Sequence, residues 1–135
     1  MALMEWKSTY AVNVRTIDLQ HQKLFIMIND LHDAMKSGTG FKVVPFILNQ
    51  LVAYTCEHFA DEERLMLRAS YPVYSSHKSR HEKFIAEVVK MSRELEDGTA
   101  PLSSQLAEFL RDWLQNHILV EDMKYAADMH AAGFR

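Results

Sequence analysis

Residues 42–68 read KVVPFILNQLVAYTCEHFADEERLMLR, and this stretch decides the fold. Its apolar side chains recur at the three- and four-residue steps of a helix: Val44, Leu48, Leu51, then Tyr54 or Thr55. The same seam runs on into His58, Glu62 and Leu65, so an imidazole and a carboxylate take positions the pattern assigns to a core. Residues four apart differ by only about 40° around a helix axis, which puts His58 and Glu62 on one face. One such pair is common on solvated helices. Its weight depends on whether other helices bring matching groups to the same depth.

Three further seams flank it. Ile17, His21, Leu24, Ile28, Leu31 and Met35 mark a helix over about 18–37, with Asp18 as its expected N-cap and Gly38 at its C′ position. The second helix covers about 42–68, with Pro45 in its first turn, where no N–H is needed. His77, His81, Phe84, Val88, Met91 and Leu95 mark a third over about 75–96, capped by Ser75 or Ser76 and closed by Asp97-Gly98. A fourth, over about 100–129, takes Thr99 as cap and Pro101 in its first turn. Its buried face reads Leu102, Leu106, Phe109, Trp113, His117 and Val120. Residues 1–17 lack a period and form an irregular arm whose Trp6 and Tyr10 lie against the rest. Four long helices with short connections predict an all-α, antiparallel up-down-up-down four-helix bundle, and the 135 residues form one domain.

Composition narrows the function. A net charge of -3 and a pI near 6.1 leave no basic footprint for nucleic acid. No apolar run is long enough to span a bilayer, and no secretory leader is recognisable. Cys56 is the only cysteine, which rules out an intrachain disulfide or a thiolate zinc site and points to a reduced, cytoplasmic setting.

Five of the seven histidines (His21, His58, His77, His81 and His117) fall on the seams, as does Glu62. His32 lies off the seam and His130 in the tail, so both are expected in solvent. A core rarely accepts so many ionisable groups, because each buried polar atom without a partner costs about 1–3 kcal/mol. Direction adds to this. In an antiparallel bundle, the starts of helices one and three meet the ends of two and four, so all five histidines gather at one end. Any single histidine on an apolar face is more often a satisfied core residue than a ligand, and His77-Lys78-Ser79-Arg80-His81 alone suits zinc equally well. Five coincident positions with carboxylates reverse those odds and point to a shared metal centre. The second carboxylate candidate is Asp122. Five imidazoles with two carboxylates exceed the four ligands of a zinc site, and calcium and magnesium prefer oxygen; iron, manganese or copper suits the set, as a close pair sharing the carboxylates.

The motifs Ile17-Asp18-Leu19-Gln20-His21, His58-Phe59-Ala60-Asp61-Glu62-Glu63, His77-Lys78-Ser79-Arg80-His81 and Asp112-Trp113-Leu114-Gln115-Asn116-His117 followed by Asp122 resemble the hemerythrin family in its stand-alone bacterial form. The resemblance covers nearly the whole chain, with no metal-ligand position of the family pattern missing. It implies two non-haem iron ions bridged by Glu62, Asp122 and a solvent-derived oxo or hydroxo group. His77, His81 and His117 would hold one iron, and His21 and His58 the other. Two octahedral irons would then keep one open position, on the two-histidine iron, for O2 or another small ligand such as NO or azide. The function so implied is reversible dioxygen binding for storage, delivery or sensing, in a binding protein rather than an enzyme. Peroxide or nitric-oxide reduction, or an iron- or oxygen-responsive regulatory role, is the alternative use of the same centre. The neutral majority among the ligands favours a preserved ferrous pair, and Phe59 and Trp113 would exclude water, although plain core packing describes them as well.

One spacing stands out. His117 and Asp122 are five apart, about 140° around an ideal helix. Either a local π-type bulge brings them together, or they approach the metals from different sides. Tyr125, three residues beyond, reaches the site or merely packs.

Overall fold

Helical seams and short links give four rods packed side by side in the computed structural model, which describes residues 2–37, 40–98 and 105–135. Helix α1 spans Arg15–Lys36, α2 Gly40–Arg68 and α3 Tyr74–Glu96. The fourth rod is α4 (Gln105–Asn116), a π-helical turn (His117–Asp122) and α5 (Met123–Ala131), continuous because the joining residues Asn116 and Met123 keep helical dihedrals. The expected all-α bundle is therefore present, and each helix runs opposite to its sequence neighbour. No described helix is long and apolar enough to cross a membrane.

The helix ends differ from several expectations. Helix α1 begins at Arg15 with Val14 as its N-cap. Asp18 is not the cap; it lies in the first turn and accepts the backbone N–H groups of Val12 (2.8 Å) and Asn13 (3.1 Å). Its carboxylate thus folds the arm back over the helix start, with Asn13 in the left-handed region at φ 61°. Ser75 and Ser76 do not cap α3 either: it starts at Tyr74, behind Val73, with no side-chain cap. Gly98 does close α3 at φ 72°, its N–H bonded to the Leu95 carbonyl. The roles expected of Gly38, Thr99, Pro101 and Leu102 fall outside the described residues.

The arm is pinned rather than loose. Met4 is buried, and its N–H and carbonyl bond the Asn29 side chain at 2.8 and 3.0 Å. Trp6 and Tyr10 pack edge-on against Phe25 with ring centres 5.4 and 5.1 Å away, as their aromatic character suggested.

Two apolar clusters make up the core. The larger contains Leu24, Phe25, Ile28, Leu48, Leu51, Phe59, Phe84, Val88, Leu110, Leu114 and Ile118. The smaller, at one end, contains Val12, Val14, Ile17, Met66, Tyr71, Tyr125 and Met129. Each large apolar side chain buried this way contributes about 1.5–3 kcal/mol, and this offsets the cost of holding a polar layer between the clusters. That layer is where the seam histidines stand. Three burial expectations fail, at His32, Val120 and His130. His32 is buried, only 7% exposed, because it continues the stripe of His21, Phe25 and Ile28 along α1. Val120 is 44% exposed rather than on the buried face, because the wide π turn passes the inward direction to Ile118 and Asp122.

Candidate metal centre

Each rod contributes to the polar layer at the depth its seam sets. His21 comes from α1, His58 and Glu62 from α2, His77 and His81 from α3, His117 and Asp122 from the π turn. All seven sequence-predicted residues meet there, and none is more than 4% exposed.

The π turn explains the five-residue spacing. The N–H of Met123 bonds the carbonyl of Ile118, five residues back, in place of the usual four. One widened turn sets residues five apart nearly one above the other, so His117 and Asp122 face the same way. Of the two alternatives the sequence left open, the bulge is the one present.

The carboxylates divide their oxygens between two groups of histidines. Glu62 sets Oε1 3.1 Å from Nε2 of both His77 and His81, and Oε2 3.3 Å from His58 and 3.6 Å from His21. Asp122 sets Oδ1 3.1 Å from Nε2 of His77 and His117, and Oδ2 3.2 Å from His21. Glu62, His77, His81, His117 and Asp122 form one group whose ligand atoms lie within 4.8 Å of one another; His21, His58 and Glu62 form another.

Hydrogen bonding within the protein does not account for this packing. Both Asp122 oxygens and both ring nitrogens of His21 are buried with no hydrogen bond, and Nδ1 of His77 shares that state. The Nε2 atoms of His81 and His117 stand 3.0 Å apart, and those of His117 and His77 3.1 Å apart. Neutral imidazoles turn lone pairs toward one another at such contacts, which repels unless a cation lies between them. Adjacent donors on an octahedral ion with bonds of about 2.1 Å stand about 3.0 Å apart, so these spacings fit metal-ligand edges. The donor set, imidazole with shared carboxylate, fits a pair of iron ions.

Charge preferences of the site's own side chains agree. Burial lowers the His21 and His77 pKa values, but contacts with the Asp122 and Glu62 carboxylates outweigh it and raise both to about 9. Burial dominates at His58, which is lowered. Burial also opposes ionisation of Glu62 and Asp122, yet the surrounding histidines hold both carboxyls below their ordinary range. Positive charge is what this layer calls for.

Residues outside the expected ligand set orient the rings. Nδ1–H of His58 donates to Oε1 of Gln20 at 2.6 Å, and Nδ1–H of His81 donates to Oε2 of Glu63 at 2.8 Å. Both partners adjoin a ligand position in the quoted motifs, which was the available signal. Tyr125 does reach the site, donating its hydroxyl to Oε2 of Glu62 at 2.8 Å. Phe59 lies parallel against His81 with ring centres 3.6 Å apart, and Trp113 stacks on His117 at 4.3 Å. His130, expected in solvent, is half-buried and bonds the Asn13 carbonyl at 3.0 Å.

Comparison with known proteins agrees with this geometry. The family model of the hemerythrin HHE cation binding domain matches residues 12–128. A bacteriohemerythrin of Stenotrophomonas maltophilia is 37% identical, over 97% of this chain and 84% of its own length. A bacteriohemerythrin of Methylococcus capsulatus is 33% identical, over 97% of this chain and all of its own. A crystal structure of wild-type hemerythrin superposes with a TM-score of 0.90 at 32% identity, covering 95% of this chain and 98% of that one. With seven buried ligand-type side chains in two overlapping groups, the chain belongs to the hemerythrin family.

Proposed function

We propose that this chain binds dioxygen reversibly at a non-haem di-iron centre, for storage, delivery or sensing, and that residues 1–135 act as one domain doing so. The observation that carries the reading is the division of Glu62 and Asp122, one oxygen of each toward either group of histidines. His77, His81 and His117 would hold one iron and His21 and His58 the other, with both carboxylates between them. When bound, the iron pair supplies the electrons that hold dioxygen and take them back on release.

The chain's own residues favour release over consumption. Five neutral imidazoles against two carboxylates give the site low negative charge, which preserves the ferrous state. The unequal histidine count leaves the two-histidine side as the place for a small ligand, where NO or azide would compete. Phe59 and Trp113, stacked on ligand rings, exclude water from the three-histidine side. An apolar cavity lined by Leu24, Ile28, Leu51, Phe59, Phe84 and Trp113 adjoins the polar layer and suits an uncharged diatomic molecule. The exposed free thiol of Cys56 suits a reducing cytoplasm.

Anaerobic loading with ferrous iron, metal counting and visible spectra through cycles of air and argon test the reading. Two irons per chain, with a band that appears in air and fades under argon, are expected. Irreversible bleaching would favour the reductase or regulatory use of the centre, and a single zinc with no response to oxygen would overturn the di-iron reading.

A further inference from the structure

The two groups of histidines are oriented by different means. His81 gives its Nδ1 proton directly to a carboxylate, Glu63, which can only accept. His58 gives its proton to the amide oxygen of Gln20, and an amide can present either end. What fixes the end is a third residue. Gln20 Nε2 donates to Oδ2 of Asp61 at 2.8 Å, while Oδ1 of Asp61 faces the Arg64 guanidinium at 3.3 Å.

We propose that Asp61 is a positioning residue for the two-histidine side of the site, setting the His58 tautomer through the Gln20 amide. Turning the amide over would place two oxygens 2.8 Å apart at Asp61 and an N–H against Nδ1 of His58. His58 would then carry its proton on Nε2, the atom 3.3 Å from Glu62, where it could not ligate a metal. Asp61 forbids that arrangement because a carboxylate only accepts. The chain Asp61–Gln20–His58 thus links a partly exposed carboxylate on α2 to a buried ring on the same helix by way of α1. Among the described residues, the three-histidine side shows no such link through an amide: His81 is held by the Glu63 carboxylate. Loss of Asp61 therefore acts on one metal of the pair.

The inference rests on His58 being a metal ligand, as proposed above. Its test is the rate at which ferrous-loaded protein yields each iron to a strong chelator under argon, with thermal unfolding measured in parallel. Asp61→Asn should speed loss of one iron by roughly 10-fold or more and leave the other at its wild-type rate. The double variant Gln20→Glu with Asp61→Asn reverses the roles: the amide introduced at position 61 would donate, and the new carboxylate at position 20 would still accept from His58. It should restore the slow release. A structural defect alone would speed both irons and would not be rescued. Wild-type release from D61N, or faster release of both irons with no rescue in the double variant, overturns the inference. A wild-type chain that takes up no iron pair overturns the metal-ligand reading beneath it.

Discussion

Tyr125 and Glu62 are 63 residues apart in sequence, yet the phenol donates to the carboxylate across 2.8 Å inside the core. Burial first, then the charges of Asp122 and Glu62, push the Tyr125 pKa well above its usual value, so the group remains a donor. Its partner Oε2 is the oxygen that faces His21 and His58. Tyr125→Phe removes a hydrogen bond to a buried charged group while keeping the ring against Tyr71. The metal-free variant should lose about 1–3 kcal/mol in urea unfolding. Unchanged stability would mean that Glu62 finds another donor.

The π turn behaves as one extra residue accommodated in the fourth rod. Val120 is 44% exposed within it, so deleting Val120 removes no core side chain. A regular helix over the shortened segment would place His117 and the aspartate four apart, about 40° around the axis, and leave Tyr125 and Met129 in register. The deletion variant should fold and bind two metals. Deleting Lys90 from regular α3 rotates the remainder of that helix by about 100° and should cost the fold. Metal loss in the Val120 deletion, with the helical circular dichroism intact, would show that the wide turn itself sets the ligand geometry.

The same turn marks where the sequence was legible and where it was not. The seam of α2 carried the apolar period and two of the seven candidate ligands, His58 and Glu62, in one continuous run, so the fold and part of the site could be read from it. The buried Val44, Leu48, Leu51, Thr55, His58 and Glu62 agree with that reading. Val120 misled because a straight 3.6-residue period was carried through a bulge. The odd spacing to Asp122 signalled the bulge but could not say which residue it would turn outward. Asp18 looked like a cap because its type suits one; its bonds to Val12 and Asn13 depend on the path of the arm, which has no period to read. His32 looked solvated because the seam was read through Leu31 and Met35, whereas the neighbouring 21-25-28-32 stripe of α1 is buried as well. Gln20 and Glu63 were visible as neighbours of candidate ligands, but their roles depend on distances across two helices.

Glu62 faces both groups of histidines, whereas His58 faces only one. Glu62→Gln should therefore lower retention of both metals, and His58→Ala should leave about one metal per chain, a difference read by metal analysis after gel filtration. Equal loss in both variants would show that the two positions fill only together.

Phe59 is 4% exposed and parallel to the His81 ring, so its removal opens a cavity directly beside that ring. Phe59→Ala should cost about 3–5 kcal/mol by urea unfolding, and the iron-loaded form should bleach faster in air than wild type. Phe59→Leu keeps an apolar cover and should lie between. A variant destabilised to this extent but bleaching at the wild-type rate would assign Phe59 to packing alone.

Stability of the metal-free chain should depend on pH in opposite senses across the site. His21 and His77 are raised from 6.5 to about 9, so their contribution is complete below pH 6.5 and is lost as pH rises through about 9. Glu62 and Asp122 are lowered, so theirs is complete above their ordinary values of 4.5 and 3.8 and is lost as pH falls below them. His58 is lowered from 6.5, chiefly by burial, and opposes folding as acid protonates it. The metal-free protein should therefore weaken between pH 6.5 and 9, by an amount on the order of a few kcal/mol. Metal ligation needs the neutral rings, so loading at pH 7 should release protons, and affinity should climb with pH until about 9. Urea midpoints of the metal-free and loaded forms, taken every half unit from about pH 6 to about 9.5, should diverge. Parallel curves would mean that His21 and His77 do not hold the protons that their carboxylate neighbours favour.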